Sequence, residues 1–322
     1  MRGTEVRPFE AGDLDGAGRL LAVRHQHHRK AQPLLSPRYE DPAVARKEVE
    51  AVWESDNASG AVAVDGGRLT GFLLGSPKST RVWGPNLWVE AAGMAVEDAE
   101  TMRDLYGVAA ARWVEEGRTA HYVVVPAQDA ELVDAWFRLG FGQQHAHAIH
   151  PVPTEPPQAP AQLTIRRARR DDIDVLAQLD LALPEHQGRS PVFSAGEMPT
   201  LDQAKKEWDE DIDDVEYGYF VAEHDGRVIG SAVGCALERS SSHLGPARPD
   251  NAGFLGFAAV LPEARGLGAG RALGEAVEWW AAQAGYDSVV TDWRVTNLLS
   301  SRTWPRLGYE KTFLRLHRVV GY

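Results

Sequence analysis

The chain has 322 residues, a length that favours about two domains, each with its own hydrophobic core. Its net charge of −12 argues against affinity for nucleic acid or an acidic membrane, because both need a basic surface, and mildly favours a cationic or neutral acceptor. No apolar run is long enough to cross a membrane and the N-terminus does not resemble a signal peptide, so we expect a cytoplasmic protein. The single cysteine, Cys235, excludes an intrachain disulfide, and its apolar neighbours predict a buried thiol.

The first elements of the chain recur later in the sequence. A strand at Val6 followed by a capped helix is echoed at Ile165, an offset of 159 residues. An alternating hairpin around Gly66 has a counterpart around Gly226 at the same offset. The motif Trp-x-Arg-Leu-Gly-Phe/Tyr begins at Trp136 and again at Trp304, an offset of 168, so the later copy carries about nine extra residues. The chain therefore contains an internal repeat.

A proline-rich segment separates the two copies. Prolines between residues 151 and 160 remove backbone donors and favour an extended strap. We predict a domain over 1–150, a linker over 151–162 and a second domain over 163–322. Strands alternate with amphipathic helices in each copy, for example the helix from Ala272 to Ala284, so the fold class is α/β with a mixed sheet.

The second copy contains a glycine-rich turn with the character of a phosphate site. A buried strand over 253–261 ends at Pro262, and the turn Arg265–Gly270 leads into the amphipathic helix. This order places free backbone N–H groups at a helix N-terminus, where they and the helix dipole favour an anion. The turn lacks the early G-x-G-x-x-G of dinucleotide-binding folds and the Gly-Lys-Ser/Thr of Walker loops.

The segment from Val260 to Gly270 resembles the signature of the GNAT superfamily of acyl-CoA-dependent N-acyltransferases. Asn297, Ser300 and Leu307-Gly308-Tyr309 match the downstream pattern of that family. The resemblance implies two tandem GNAT-like domains, and transfer of an acetyl group from acetyl-CoA to a primary amine by direct attack, without a metal. The turn would hold the pyrophosphate of the coenzyme, and backbone groups of the preceding strand would align its pantetheine arm. The coenzyme-binding residues implied are Ala258, Ala259, Val260, Arg265, Gly266, Leu267, Gly268, Ala269, Gly270, Arg271 and Asn297. For Asn297, an N-cap of the following helix is an equally good interpretation.

The catalytic groups depart from the family pattern. Many relatives have a tyrosine that protonates the CoA thiolate at the position of Trp304, and indole cannot do so. The strand before the turn contains no carboxylate that could act as the general base. Asp292 is the first substitute, although it could instead pair with a nearby arginine, and Glu238 and His243 are further candidates.

The N-terminal copy has no counterpart of the glycine-rich turn. The aligned segment, Val96 to Arg103, contains three carboxylates and no glycine, so we expect a degenerate domain without a phosphate site. A tandem arrangement with one working half occurs in the superfamily that the sequence resembles. Histidines at 25, 27, 28, 145, 147 and 150 invite a metal hypothesis, but we expect solvated surface side chains and no metal.

Three further questions stay open at the level of sequence. The donor could be a longer acyl-CoA or an acyl carrier protein, since both present the same pantetheine arm. A non-catalytic acyl-CoA-binding regulator is the alternative from another functional class, because function resides in the site and not in the fold. The acceptor could be a small-molecule or peptide amine, and the protein a monomer or a homodimer.

Overall fold

The computed structural model describes residues 4–194 and 198–321. The strands are β1 (Glu5–Pro8), β2 (Ser59–Asp65), β3 (Arg68–Gly75), β4 (Asn86–Val89), β5 (Met94–Val96), β6 (Ala120–Pro126), β7 (Gly142–Pro151), β8 (Thr164–Arg167), β9 (Gly218–His224), β10 (Arg227–Ala236), β11 (Ala252–Val260), β12 (Ser288–Arg294) and β13 (Glu310–Val319). The helices are α1 (Leu14–Ala31), α2 (Pro42–Trp53), α3 (Thr101–Glu115), α4 (Ala130–Arg138), α5 (Ile173–Gly188), α6 (Leu201–Asp211), α7 (Ala269–Gln283) and α8 (Leu298–Thr303). Over these described ranges, every helix is too short or too polar to span a bilayer.

The chain forms two compact units. The first unit comprises Met1–Ala146, His243–Asp250 and Lys311–Tyr322, and the second comprises His147–Ser242 and Asn251–Glu310. The first unit thus includes two segments that follow residue 162 in the sequence.

The first unit contains an antiparallel sheet in the order β1-β2-β3-β5. In the same unit, β6 pairs in parallel with β4 and antiparallel with β13, so the C-terminal strand completes this part of the fold. Helix α2 begins where the Asp41 side chain accepts a hydrogen bond from the backbone N–H of Ala43 and Pro42 occupies the first turn. Apolar side chains of α1, α2 and the sheet, including Leu21, Val49 and Phe72, form its core.

The second unit contains a mixed sheet in the order β8-β9-β10-β11-β12. Neighbours from β8 to β11 are antiparallel, and β11 and β12 are parallel. Helices α5 and α6 supply Leu176 and Trp208 to a core that also contains Tyr219 and Val221 of β9. Helix α7 buries Leu273 and Val277, as its hydrophobic spacing predicts.

The internal repeat is present in three dimensions. The two predicted hairpins form, with β2 paired to β3 and β9 paired to β10, and their first strands begin at residues 59 and 218. In each copy an arginine of the first strand pairs with an aspartate at the start of the first helix: Arg7 with Asp13 and Arg166 with Asp172, both at 2.7 Å. The fold class is therefore α/β with mixed sheets, as predicted.

Candidate active site

Strand β11 has one edge that is only partly paired. Its pairing with β10 runs from Gly253 to Val260, whereas its pairing with β12 covers only Ala252 to Leu255. Beyond Leu255, no register partner on β12 faces this edge in the described sheet. Backbone polar groups need hydrogen-bond partners, so the edge from Gly256 to Val260 is available to a polar ligand.

The turn after β11 presents backbone N–H groups. Gly266 and Gly268 have φ angles of +93° and +88°, which L-residues with a Cβ rarely adopt. Gly268 is the N-cap of α7, and its carbonyl accepts from the Ala272 N–H at 3.1 Å. The backbone N–H groups of the residues before Ala272 in this first turn have no acceptor within the helix. A Cβ built on Gly266 would meet no atom within 4 Å, so the space in front of the turn is open.

A cavity of about 420 Å³ lies against this turn, and we call it the arginine cavity. Four arginines line it, Arg265, Arg271, Arg302 and Arg306, and no described lining residue is acidic. Arg271 donates from Nε to Oε1 of Glu275 at 2.8 Å. The remaining lining residues are Ala182, Leu183, His186, Ala258, Ala259, Val260, Ala264, Gly266, Gly268, Ala269, Gly270, Asn297, Leu299, Ser300, Thr303 and Trp304.

Most of the residues expected to bind the coenzyme line this cavity. Leu267 belongs to the turn but lies outside the described lining, and its carbonyl accepts from Gln162 Nε2 at 3.3 Å. Asn297 lines the cavity and is also the N-cap of α8. Its Oδ1 caps α8 by accepting from the Leu299 N–H at 3.2 Å, and it also lies 3.3 Å from Nε2 of His186 in the cavity wall.

A second cavity, of about 620 Å³, is acidic and aromatic, and we call it the acidic cleft. Its lining comprises Asp180, Leu183, Pro184, Gln187, Glu207, Trp208, Asp211, Tyr217, Tyr219, Val233, Gly256, Phe257 and Arg294. Leu183 lines both cavities, and β11 contributes Phe257 to the cleft and the next residue, Ala258, to the arginine cavity. The two cavities therefore adjoin along the free edge of β11.

Asp180 is a carboxyl group of the cleft whose pKa is raised. Its Oδ2 accepts a hydrogen bond from Trp208 Nε1 at 2.5 Å. The pKa of Asp180 is raised to about 6, chiefly by burial and to a lesser degree by nearby Glu207, against the opposing effect of that hydrogen bond.

The three candidate bases from the sequence occupy different places. Asp292 is half-buried on β12, two residues before Arg294 of the cleft, and so faces the same side of the sheet. Glu238 is exposed in a short turn after β10. His243 is 1% exposed in a segment of the first unit, and burial lowers its pKa to about 3. Over the described lining of both cavities, none of the three appears.

Several residues that line the cavities were not predicted from the sequence. Arg302, on α8, and Arg306, in the 3-10 turn that follows it, are four residues apart in the sequence, and both line the arginine cavity. Asp180 lies on α5, and Glu207 and Asp211 lie on α6. No local motif marks these carboxylates, because packing of the two helices brings them together. Trp304, which occupies the position where many relatives have a tyrosine, lines the arginine cavity.

The expectation of solvated histidines is wrong for three of the six; of the others, His27 is exposed, and His145 and His150 are half-buried. His25, His28 and His147 are at most 5% exposed. His25 Nε2 lies 2.7 Å from the Ser36 carbonyl oxygen, and burial lowers the pKa values of His25 and His28 to about 4 and about 3. In the part of the chain that the structure describes, no group of three His, Cys, Asp or Glu side chains is arranged to hold a metal ion. Cys235 is buried, as predicted.

The first unit has carboxylates where the second has its glycine-rich turn. Helix α3 begins at Thr101, and Glu100 in front of it pairs with Arg103 at 2.6 Å and with Arg138 at 2.8 Å. Glu97 binds the guanidinium of Arg68. Negative charge thus occupies the helix N-terminus that would otherwise attract an anion.

Comparison with known proteins agrees with this geometry. Over the whole chain, the fold is similar to that of a GCN5-related N-acetyltransferase from Sphaerobacter thermophilus, with a TM-score of 0.56, 16% identity, and 99% and 97% of the two chains covered. A tandem GNAT protein from the clavulanic acid biosynthesis pathway aligns over 99% of both chains with a TM-score of 0.48 and 16% identity. The similarity to the Sphaerobacter thermophilus protein concerns the fold alone.

Sequence similarity to a known family covers part of the chain. Residues 183–309 match the model of the acetyltransferase (GNAT) family. An aminoglycoside N(6')-acetyltransferase type 1 from Stenotrophomonas maltophilia is 29% identical over 160 residues, which are 49% of this chain and 91% of that relative. Residues 183–309 are therefore similar to the GNAT acetyltransferases, and this similarity indicates an acyltransferase.

Proposed function

We propose that the second unit transfers an acetyl group from acetyl-CoA to a primary amine by direct attack of the amine on the thioester. The observation that carries this proposal is the meeting of the arginine cavity and the acidic cleft at the free edge of β11. One cavity suits an anionic donor and the other a cationic acceptor.

The arginine cavity fits the coenzyme. Coenzyme A carries a pyrophosphate, a 3′-phosphate and an amide-containing pantetheine arm. The N–H groups at the start of α7 and the guanidinium of Arg265 suit the pyrophosphate, while Arg302 and Arg306 add positive charge for phosphate. The free backbone edge of Gly256–Val260 offers hydrogen bonds to the amides of the arm.

The acidic cleft fits an amine. Carboxylates attract an ammonium group, and aromatic faces such as those of Tyr217 and Tyr219 bind cations and the apolar face of a sugar. The relative named for acetylating aminoglycosides supports a small molecule with several amino groups as the acceptor.

The reaction needs no covalent enzyme intermediate. The neutral amine nitrogen attacks the thioester carbonyl carbon, a C–N bond forms, and the C–S bond breaks to release CoA as a thiolate. That thiolate takes a proton from the attacking nitrogen or from solvent, because the indole of Trp304 cannot supply one. Holding both reactants against β11 supplies rate through proximity and orientation.

We assign one coenzyme site to the chain. Glu100 occupies the N-terminus of α3 and pairs with Arg103 and Arg138, in place of the open glycine-rich turn of the second unit, which supports a degenerate first unit.

A pair of glycine variants tests the coenzyme site. Gly268→Ala places a Cβ in the turn that faces the arginine cavity, and we expect at least a tenfold weaker affinity for acetyl-CoA, about 1.4 kcal/mol. Gly226→Ala is the matched control for backbone strain, because Gly226 also has a positive φ, +73°, but lies in the β9–β10 hairpin. An added Cβ would meet no atom within 4 Å at Gly226 and would make an ordinary van der Waals contact with Pro160 Cγ, at 3.5 Å, at Gly268. Titration calorimetry of the parent should give one site per chain.

The outcomes separate the alternatives. Equal losses in both variants would show a general effect of strain and contradict the assignment of the turn. Two sites per chain would contradict the degenerate first unit. Release of CoA thiol with an amine identifies an enzyme, whereas binding without release with any amine of a broad panel identifies a regulatory acyl-CoA binder. A donor series of increasing acyl length, with acyl carrier protein, identifies the acyl group.

A further inference from the structure

Asp180 lies in the wall of the acidic cleft close to where the two cavities adjoin. It precedes Leu183 by three residues on α5, so both side chains face the same way, and Leu183 lines both cavities. Across the cleft, Gly256 and Phe257 belong to the strand whose next residue lines the arginine cavity. A carboxylate at this position faces an acceptor that is approaching the thioester.

The Asp180 carboxylate is held in a defined orientation. Trp208 of α6 donates its indole N–H to Oδ2 at 2.5 Å. Trp208 is itself 7% exposed in the core between α5 and α6, so this donor is fixed by packing. The hydrogen bond engages one oxygen, and Oδ1 stays available to a ligand in the cleft.

Negative charge around Asp180 exceeds positive charge. Glu207 and Asp211 face the cleft from α6, Tyr217 and Tyr219 face it from the region of β9, and Arg294 faces it from β12. Over residues 4–194 and 198–321, neither Asp180 nor the two α6 carboxylates form an ion pair with a basic side chain of the protein. A cation from outside the protein would supply the missing counter-charge.

We propose that Asp180 binds the ammonium group of the acceptor and removes its proton before attack on the thioester. This inference rests on the proposed acetyl transfer. The proton moves from the acceptor nitrogen to the Asp180 carboxylate, which leaves a neutral amine with a free electron pair. The amine attacks as described above, and Asp180 then releases its proton to solvent. Asp180 thereby takes the role that the sequence analysis sought in Asp292, Glu238 and His243.

The proton affinity of Asp180 suits this role. Burial raises its pKa to about 6, so the group is mostly ionised at neutral pH and still accepts a proton more readily than an exposed aspartate does. The rate should therefore fall below about pH 6, as the carboxylate becomes protonated.

The test is the pH dependence of kcat/KM between pH 5 and 8, with acetyl-CoA as donor and kanamycin A, spermidine and a lysine peptide as acceptors. Asp180→Asn should lower the rate on the order of 100-fold and abolish the acid limb near pH 6. Asp180→Glu should restore part of the rate. Trp208→Phe should move the limb to higher pH, because the indole hydrogen bond lowers the pKa of Asp180.

Asp211→Asn is the matched control, since it removes a carboxylate of the same cleft. It should raise KM for a cationic acceptor and leave the acid limb in place. Acetyl-CoA affinity, measured by calorimetry, should be the same for Asp180→Asn and the parent. An unchanged acid limb in Asp180→Asn, while the parent acetylates an amine, would overturn the role of Asp180 alone. Failure of the parent to acetylate any of the three amines would instead overturn the proposed function, and this inference with it.

Discussion

Glu278 is a buried carboxyl group whose ionisation should destabilise the second unit. It lies on α7, is 3% exposed, and has Nδ1 of His150 at 4.0 Å from its Oε1. Burial raises the pKa of Glu278 from 4.5 to about 8. Below pH 4.5 the group is protonated in both the folded and the unfolded state and has no effect on the pH dependence of stability.

Between pH 4.5 and 8 the unfolded state loses the proton while the folded state keeps it. The free energy of unfolding should then fall by about 1.4 kcal/mol per pH unit because of this group. Three pH units of this slope give up to roughly 4 kcal/mol at pH 7.5. Glu278→Gln keeps the shape of the side chain and cannot ionise, so it should be more stable than the parent at pH 7.5, by an amount that shrinks towards pH 5.

Urea unfolding of the parent and Glu278→Gln at pH 5, 6, 7 and 7.5 measures this difference. Glu263→Gln, at an exposed position, is the control and should show no such trend. A stability difference between Glu278→Gln and the parent that does not change with pH would refute the reasoning.

Two further predictions concern the arginine cavity and the cysteine. Arg302→Gln should weaken acetyl-CoA binding about 5- to 10-fold at low salt and less at high salt, because salt screens a contact between charges. The control, Arg227→Gln at an exposed position of the β9–β10 hairpin, should leave the affinity for acetyl-CoA unchanged. Calorimetry at two salt concentrations measures both affinities. Cys235 is buried, and burial raises its pKa to about 11, so Ellman's reagent at pH 8 should modify it at least about 100-fold more slowly in the folded than in the unfolded protein. Rapid labelling of the folded protein would show that its thiol is accessible.

Local patterns allowed much of the fold to be predicted. The hairpins, the glycine turn and the cap at Asn297 depend on residues that are near each other in the sequence, and the structure contains each of them. The equal spacing of two copies reinforced each single pattern, because a hairpin found at both Gly66 and Gly226 is stronger evidence than either alone.

Residues brought together by packing could not be predicted in this way. Asp180 and Trp208 are 28 residues apart, and nothing in the sequence around either one indicates their hydrogen bond. The buried histidines of α1 did leave a signal, since His25 and His28 continue the helical stripe of Leu21 and Ala22. The polarity of the imidazole ring led us to expect exposed histidines, although the helical periodicity indicates that His25 and His28 are buried.

The C-terminal strand has a consequence for how the protein is made. Residues 313–319 of β13 pair with β6, yet the ribosome synthesises them after every residue of the second unit. The first unit therefore cannot acquire its native sheet while the second unit is still emerging, although most of its sequence leaves the ribosome earlier. A chain cut in the proline-rich segment near residue 155 would leave the first unit without this strand, and an exposed edge of β6 would invite aggregation. Expression of the first 150 residues alone is for that reason a poor route to an isolated first unit, whereas adding back a peptide of residues 311–321 supplies the missing strand.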